Sequence, residues 1–176
     1  MDIYAFRQRK DEFFRDDPNA PVAGQAFDGL RYFPVSSAYV FLPRVQPFAS
    51  QDEVELLTSV GDVQAYLRYG AVQVVLGEET CKLTLFKMLG SDNASFFLPF
   101  RDATNGRESY EAGRYLDVPR LKGDKVRLDF NYAYNPYCAY SEHYRCPLPP
   151  SENRLSVAVR AGEKSYKVAV DTGGKG

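Results

Sequence analysis

The sequence contains no tryptophan and a single histidine, His143, among its 176 residues. It also lacks any apolar run close to the ~20 residues that a membrane-spanning helix needs, and its N-terminus carries charges too early for a signal peptide. These absences predict a cytoplasmic protein with no membrane partner. The three cysteines are an odd number, which does not favour a disulfide framework in a reducing compartment.

An excess of charge of either sign is also missing. Lys and Arg together number 22, against 23 for Asp and Glu, so the formal net charge is −1. The basic residues are scattered along the chain, whereas binding to nucleic-acid phosphates requires clustered Lys and Arg. The sequence therefore predicts no nucleic-acid partner.

What the chain does contain is an ordinary globular composition, with 44% hydrophobic residues and many tyrosines and phenylalanines, which favour strands. Residues 2–15 are predicted to form a short helix, because Ile3, Phe6, Phe13 and Phe14 fall roughly on one face. Short segments bounded by turn residues then predict strands at 39–48, 54–58, 63–69, 71–76, 80–89, 96–100, 114–118, 125–130, 155–160 and 165–170.

These strands, about nine or ten in number, are mostly joined by connections too short for parallel crossovers. The predicted fold is therefore all-β and mainly antiparallel, a barrel or sandwich with a short N-terminal helix. Residues 1–170 are expected to form a single β domain, because no linker or internal repeat divides them. Residues 171–176 are glycine-rich and are expected to form a flexible tail.

One long loop stands out between two predicted strands, at residues 131–153. Loops of about twenty residues are uncommon inside a compact domain and are usually either functional or disordered. This loop is rich in Tyr, Cys and Pro, which argues against disorder. The sequence therefore predicts that a functional site lies in the segment from Asp129 to Arg154.

The same region carries a family resemblance. The motifs are GRYLD at 113–117, LDFN at 128–131, AYNP at 133–136, CAY at 138–140, CPLPP at 146–150, ENRL at 152–155 and AGEK at 161–164, with FDGL and YFP at 27–30 and 32–34. Together they resemble the domain-of-unknown-function family 1684 over nearly the whole chain. The resemblance implies a shared fold and a shared site, but no activity. His143 lies outside these motifs, so the resemblance implies no role for it.

The cysteines of the loop leave three kinds of chemistry open. Cys138, His143 and Cys146 are residue types that bind zinc, although their spacing is not that of a standard knuckle and no cofactor is predicted. Cys138 and Cys146 could alternatively close a disulfide, which the cytoplasmic setting opposes. Cys138 could also act as a nucleophile if a neighbouring base lowered its pKa.

Carboxylates provide a fourth possibility. Asp129 and Glu152 could serve as an acid–base pair in a hydrolase if their pKa values were pushed apart. Asp102 and Asp117 are further candidates, but Arg114 and Arg154 are available as ion-pair partners for such carboxylates. An ion-pair network that stabilises the fold is the alternative interpretation, since such networks also shift pKa values.

Binding of a small molecule is the main functional hypothesis. Aromatic walls with a few convergent polar groups are typical of small-molecule sites, and an arginine fork would hold an anionic group such as a carboxylate or phosphate. The predicted ligand-binding residues are Arg114, Tyr115, Asn131, Asn135, Tyr140, Asn153 and Arg154. The alternatives are a hydrolase that uses Cys138 or Asp129 with Glu152, and a protein-interaction module with an apolar patch around Leu148.

Overall fold

The computed structural model describes residues 1–91 and 94–166. The chain begins with helix α1, Ile3–Asp16, close to the predicted bounds. The Asp2 carboxylate caps it by accepting from the backbone N–H groups of Tyr4 and Ala5, and Asp17 ends it immediately before Pro18. Phe14 is buried on the inner face of α1, where its ring packs edge-on against Tyr140 with centroids 5.0 Å apart.

Eight strands follow the helix within the described residues, and all their pairings are antiparallel. They are β1 Val40–Phe41, β2 Gln46–Pro47, β3 Glu53–Leu57, β4 Val63–Leu76, β5 Glu79–Met88, β6 Ser95–Phe100, β7 Arg114–Pro119 and β8 Leu128–Asp129. The main sheet runs in the order β2-β4-β5-β6-β7, and β3 pairs with the first half of β4 on the same edge as β2. Strands β1 and β8 form a separate pair.

Strand β4 replaces two predicted strands, because the chain continues through Gly70 without a turn. The register against β5 shifts between Arg68 and Gly70, which marks a bulge at this point. A Cβ atom at Gly70 would lie 2.6 Å from the carbonyl oxygen of Gln46, so only glycine allows β2 to pair this closely. Glycine here therefore permits the close antiparallel pairing of β2 with β4 and does not end the strand.

The two faces of the sheet have different surroundings. One face carries the largest core cluster, in which Leu83, Leu98, Leu116 and Phe130 are almost completely buried. On the opposite face Leu56, Tyr66 and Phe86 form a smaller buried cluster, with Phe97 packed against it. The second face is the one on which the candidate site is built.

Two further predicted strands are missing or shortened in the structure. Residues 155–160 do not form a ladder, because the Val159 N–H donates to the Asp102 carboxylate and the Val159 carbonyl accepts from Arg114. Residues 125–130 form only the short β8 and two isolated bridges. The predicted strand at 165–170 and the predicted tail at 171–176 lie beyond residue 166, outside the described residues for all but Ser165 and Tyr166.

The predicted fold class is confirmed at the level of mainly antiparallel sheets with one short N-terminal helix. The predicted strand at 39–48 is divided into β1 and β2, and Pro43, which cannot donate a backbone hydrogen bond to a neighbouring strand, lies between them. Within the described residues, no helix has both the length and the apolar character needed to cross a membrane.

Candidate functional site

A cleft of about 650 Å³ opens on the second face of the sheet, between strands β4–β7 and the segment 134–147. We call it the aromatic cleft, because a continuous series of rings forms much of its wall. Tyr66 stacks on Phe97 with centroids 5.4 Å apart, Phe97 meets Tyr115 edge-on at 4.8 Å, and Tyr115 meets Tyr134 edge-on at 5.8 Å. Tyr137 and Tyr144 form a further edge-on pair at 5.1 Å. Such walls bind planar organic groups well.

The segment that covers the cleft is fixed to the sheet by backbone and side-chain hydrogen bonds. Tyr115 and Tyr134 exchange backbone N–H to carbonyl bonds of 2.8 and 2.9 Å, and the Tyr115 hydroxyl donates to the Pro147 carbonyl. Since Tyr115 lies within β7, these contacts attach both ends of the covering segment to one strand.

Behind this segment lies a buried carboxylate, Glu163, which is 1% exposed. It accepts hydrogen bonds from the Tyr140 hydroxyl and the Asn135 N–H, and it pairs with Lys10 of α1. Burial of a charge requires this kind of full pairing, so the three contacts tie α1, the covering segment and the chain near Glu163 into one unit. The cleft is thereby supported by a rigid backing.

The polar groups of the cleft include Asp117 and Asn135. Asp117 follows Tyr115 on the same face of β7 and accepts a 3.0 Å hydrogen bond from the Tyr134 hydroxyl. The surrounding protein raises the pKa of Asp117, an effect that the Tyr134 hydrogen bond and Lys10 oppose. The buried Oδ1 atom of Asn135 has no hydrogen-bond partner among the described residues. Because Asn135 is only 1% exposed, the acceptor that the cleft offers to a ligand is the Asp117 carboxylate.

A second cleft, of about 710 Å³, lies near the N-terminus on the other side of Tyr134. We call it the N-terminal cleft; Asp129, Asn131 and Tyr132 line it, together with residues of α1. Asp117 and Tyr134 line both clefts, so their hydrogen bond forms part of the partition between them.

The partition gives a prediction that can be checked by titration. Tyr134→Phe removes the hydroxyl that donates to Asp117, so the pKa of this carboxyl should rise further above its ordinary value of about 3.9. Carbon-detected NMR of the aspartate carboxyl groups across the acidic pH range measures it. Tyr132→Phe is the matched control, because the Tyr132 hydroxyl donates to the Met1 carbonyl. An unchanged or lowered pKa in Tyr134→Phe would contradict this role of the hydroxyl.

Two free thiols lie beside the aromatic cleft: Cys146 lines it, and Cys138 is the neighbour of Cys146. The Cys138 backbone N–H donates to Cys146 Sγ at 3.3 Å, and the Tyr110 hydroxyl lies 3.7 Å from Cys138 Sγ. A hydrogen bond from the Cys146 thiol lowers the pKa of Cys138 to about 6, supported by the Tyr110 and Ser59 hydroxyls and opposed by burial. The pKa of Cys146 is raised correspondingly, first because of Cys138 and then because of burial.

The predicted ligand-binding residues divide into two groups. Tyr115 and Asn135 line the aromatic cleft, and Asn131 lines the N-terminal cleft while exchanging hydrogen bonds with the backbone of Ser36. Arg114, Tyr140, Asn153 and Arg154 do not line either cleft.

The contacts of this second group stabilise the fold. Arg114 is fully buried and donates to Asp102 and to the carbonyls of Val159, Ala161 and Glu163. The Tyr140 hydroxyl donates to Glu163, as described above. The Asn153 side chain bonds the backbone of Thr84 and Pro99. Arg154 is exposed, and its backbone lies beside that of Arg101.

The predicted acid–base pair is not brought together. Asp129 lines the N-terminal cleft, where it accepts from Arg127 and from the Asn131 N–H. Glu152 instead pairs with Arg68 and accepts from the Thr84 hydroxyl, outside both clefts. The interpretation of these carboxylates as an ion-pair network describes the observed contacts better than a hydrolase pair does.

The predicted metal candidates do not form a ligand set. Among residues 1–91 and 94–166, no three His, Cys, Asp or Glu side chains are arranged to hold a metal ion. Cys138 and Cys146 are neighbours, but His143 lies exposed at the surface. Leu148, at the centre of the predicted interaction patch, is half-buried, and its N–H donates to the Leu57 carbonyl at 2.7 Å.

Asp117 lies on the face of β7 opposite to Arg114. It was grouped with possible partners of Arg114, yet alternation along β7 places Arg114, Leu116 and Val118 on the core face and Tyr115 with Asp117 on the other. This alternation was the signal that separates the two residues, and it places Asp117 beside the tyrosines.

Comparison with known proteins identifies the family of the chain. The model of the family described as "Protein of unknown function (DUF1684)" matches residues 25–164. The chain belongs to the DUF1684 family. The motifs that carried the resemblance lie in this range and supply Tyr115, Asp117, Asn135 and Cys146 to the lining of the aromatic cleft. The motifs of this DUF1684 member thus form one side of the cleft, and strands β4–β6 form the other.

A solved relative shares the fold. It is an uncharacterised protein of the archaeon Haloarcula marismortui, determined by solution NMR, with 36% sequence identity and a TM-score of 0.72. The match covers 92% of this DUF1684 chain and 91% of that chain. No curated protein matches the chain.

Proposed function

We propose that this protein binds a small organic molecule containing a flat ring, and that the aromatic cleft is the binding site. The observation that carries the proposal is the continuous ring series Tyr66–Phe97–Tyr115–Tyr134 beside an acceptor carboxylate, Asp117. Ring faces supply apolar contact area to a flat ligand, and a few polar groups then fix the orientation of that ligand.

The polar groups of the cleft define what the ligand should carry. Asp117 favours a ligand with an N–H or O–H donor, or with an amine that also lies over a ring face. An anionic group, expected from the sequence, would meet Lys87 and Arg145, which line the same cleft, and not Arg114 or Arg154. Since Arg145 already bonds Asp62 and the Val63 carbonyl, Lys87 is the more available cation.

The site test is a screen of small ring compounds by saturation-transfer NMR, followed by titration of any binder. Tyr144→Ala should lower the affinity for these compounds by about tenfold, equivalent to about 1.4 kcal/mol of binding free energy, because it removes one ring from the wall of the cleft. Tyr4→Ala is the matched control, since Tyr4 is an exposed tyrosine of α1 outside both clefts.

A second variant tests the polar half of the site. Asp117→Asn keeps the shape of the side chain but removes its charge, so it should selectively weaken ligands that carry an amine or a strong donor. Binders whose affinity is the same in wild-type protein, Tyr144→Ala and Asp117→Asn would place the ligand elsewhere. An absence of any binder among ring-containing compounds would contradict the proposal altogether.

A further inference from the structure

Three observations single out the thiols beside the aromatic cleft. Both Cys138 and Cys146 are free, and they are adjacent in space although seven residues separate them in sequence. Cys138 is half-buried, whereas Cys146 is 6% exposed and lines the cleft. Cys138 is therefore the more exposed residue of the two, and Cys146 is the more enclosed.

The position of Cys146 is fixed from both sides. Its backbone N–H donates to the Ser59 hydroxyl at 3.2 Å, and its carbonyl accepts from the Ser59 N–H at 2.9 Å. Its sulfur accepts from the backbone N–H of Cys138, within the short 3₁₀ turn Tyr137–Ala139. The turn and the connection between β3 and β4 thus hold the two sulfurs beside each other without a covalent bond.

We propose that Cys138 and Cys146 form a thiol–disulfide exchange site that reacts with a low-molecular-weight disulfide of the glutathione type. The Cys138 thiolate attacks one sulfur of the disulfide, which forms a mixed disulfide and releases one thiolate. Cys146 then loses its proton and attacks Cys138 Sγ, which closes the Cys138–Cys146 disulfide and releases the second thiol. The protein dithiol is oxidised, and one molecule of small disulfide is reduced to two thiols.

The surroundings assign the two roles. Cys138 is the attacking residue, because the Cys146 thiol and the Tyr110 and Ser59 hydroxyls surround its sulfur with donors that favour the thiolate. Cys146 is the resolving residue, because it needs to reach only the sulfur of Cys138 and not the solvent. The third cysteine, Cys81, lies in β5, where burial raises its pKa, and it takes no part.

The test is incubation of the purified full chain with glutathione disulfide, followed by intact-mass and peptide mass spectrometry. The wild-type protein should lose two hydrogens and yield a Cys138–Cys146 disulfide. Cys146→Ser should stop at a mixed disulfide on Cys138, and Cys138→Ser should remain unmodified at Cys146. Cys81→Ser, the matched control, should behave as the wild-type protein does.

The pH dependence of Cys138 alkylation distinguishes a stabilised thiolate from a thiol that is merely exposed to solvent. Alkylation of Cys138 by iodoacetamide should rise through a midpoint near 6, compared with about 8.5 for an ordinary thiol, and Tyr110→Phe should shift this midpoint upward. A midpoint of an ordinary thiol, or modification of Cys81 in preference to Cys138, would overturn the proposal. So would a stable mixed disulfide on Cys138 in the wild-type protein, because Cys146 would then not resolve it. None of these outcomes depends on whether the cleft binds a ring compound.

Discussion

Replacing Arg114 with methionine is expected to lower the free energy of unfolding by about 3–5 kcal/mol, the cost typical of breaking a buried ion pair. The side chains of Arg114 and Asp102 are both completely inaccessible to solvent. Removal of the guanidinium leaves the Asp102 carboxylate without its countercharge. It also leaves the carbonyls of Val159, Ala161 and Glu163 without these donors. Since small domains are stable by about 5–15 kcal/mol in total, much of the margin would be lost. Urea denaturation followed by circular dichroism measures the difference.

Two further variants separate the loss of charge from the loss of packing. Arg160→Met is the matched control, because Arg160 pairs with Glu108 at the surface and should have no measurable effect. Adding Asp102→Asn to Arg114→Met should recover part of the loss, because the uncompensated charge disappears. A double variant no more stable than Arg114→Met would show that the buried charge is not the cause.

The same ion pair explains why one strand was predicted that does not exist. Leu155, Val159 and Ala161 are buried and point toward the core, so their spacing resembles that of an inward-facing strand. The first part of this segment bonds the backbone of Arg101 and Ala103. At Val159 and Ala161, however, the backbone groups bond to the side chains of Asp102 and Arg114, so the pairing does not continue as a strand. Alternation of apolar and polar residues indicates an extended, half-buried segment. It does not show whether another strand or a side chain provides the hydrogen-bond partners of the segment's backbone.

Where neighbouring strands do supply the partners, alternation was sufficient. Strands β5, β6 and β7 lie within a residue or so of their predicted bounds, because each pairs with a neighbour along the sheet. The merging of two predicted strands into β4 depends on the close approach of Gln46 to Gly70, a contact between residues that are distant in sequence. Long-range contacts of this kind have no local signal.

The candidate site was predicted in part. Residue types and loop length directed attention to the segment 129–154, and two of its predicted polar or aromatic members, Asn131 and Asn135, do line clefts. Arg114 lines neither cleft, and its burial had no signal in the sequence because a charged residue is ordinarily expected at the surface. Its partner Asp102 lies in a separate turn, so only the tertiary structure reveals that the charge is neutralised inside the core.

The second large effect is expected at Gly162, which joins the core segment to the backing of the aromatic cleft. Its φ of 78° is a conformation that other residues adopt at a cost of about 1–2 kcal/mol. A Cβ atom there would also lie 2.6 Å from the Ala133 carbonyl oxygen and 2.8 Å from that of Phe130. Both are backbone atoms, which cannot move aside as a flexible side chain would.

Gly77→Ala isolates the conformational cost, because Gly77 has a φ of 63° and nothing within 4 Å of an added Cβ. Gly162→Ala is therefore expected to be less stable than Gly77→Ala by about 1–3 kcal/mol, the usual cost of overpacking. Thermal unfolding of both variants checks the difference, and equal losses would contradict a steric role for Gly162. The displacement should also reach the site, because the adjoining Glu163 holds Asn135 and Tyr140 in place. Gly162→Ala should therefore weaken ring-compound binding in the aromatic cleft, whereas Gly77→Ala, at the far turn between β4 and β5, should leave it unchanged.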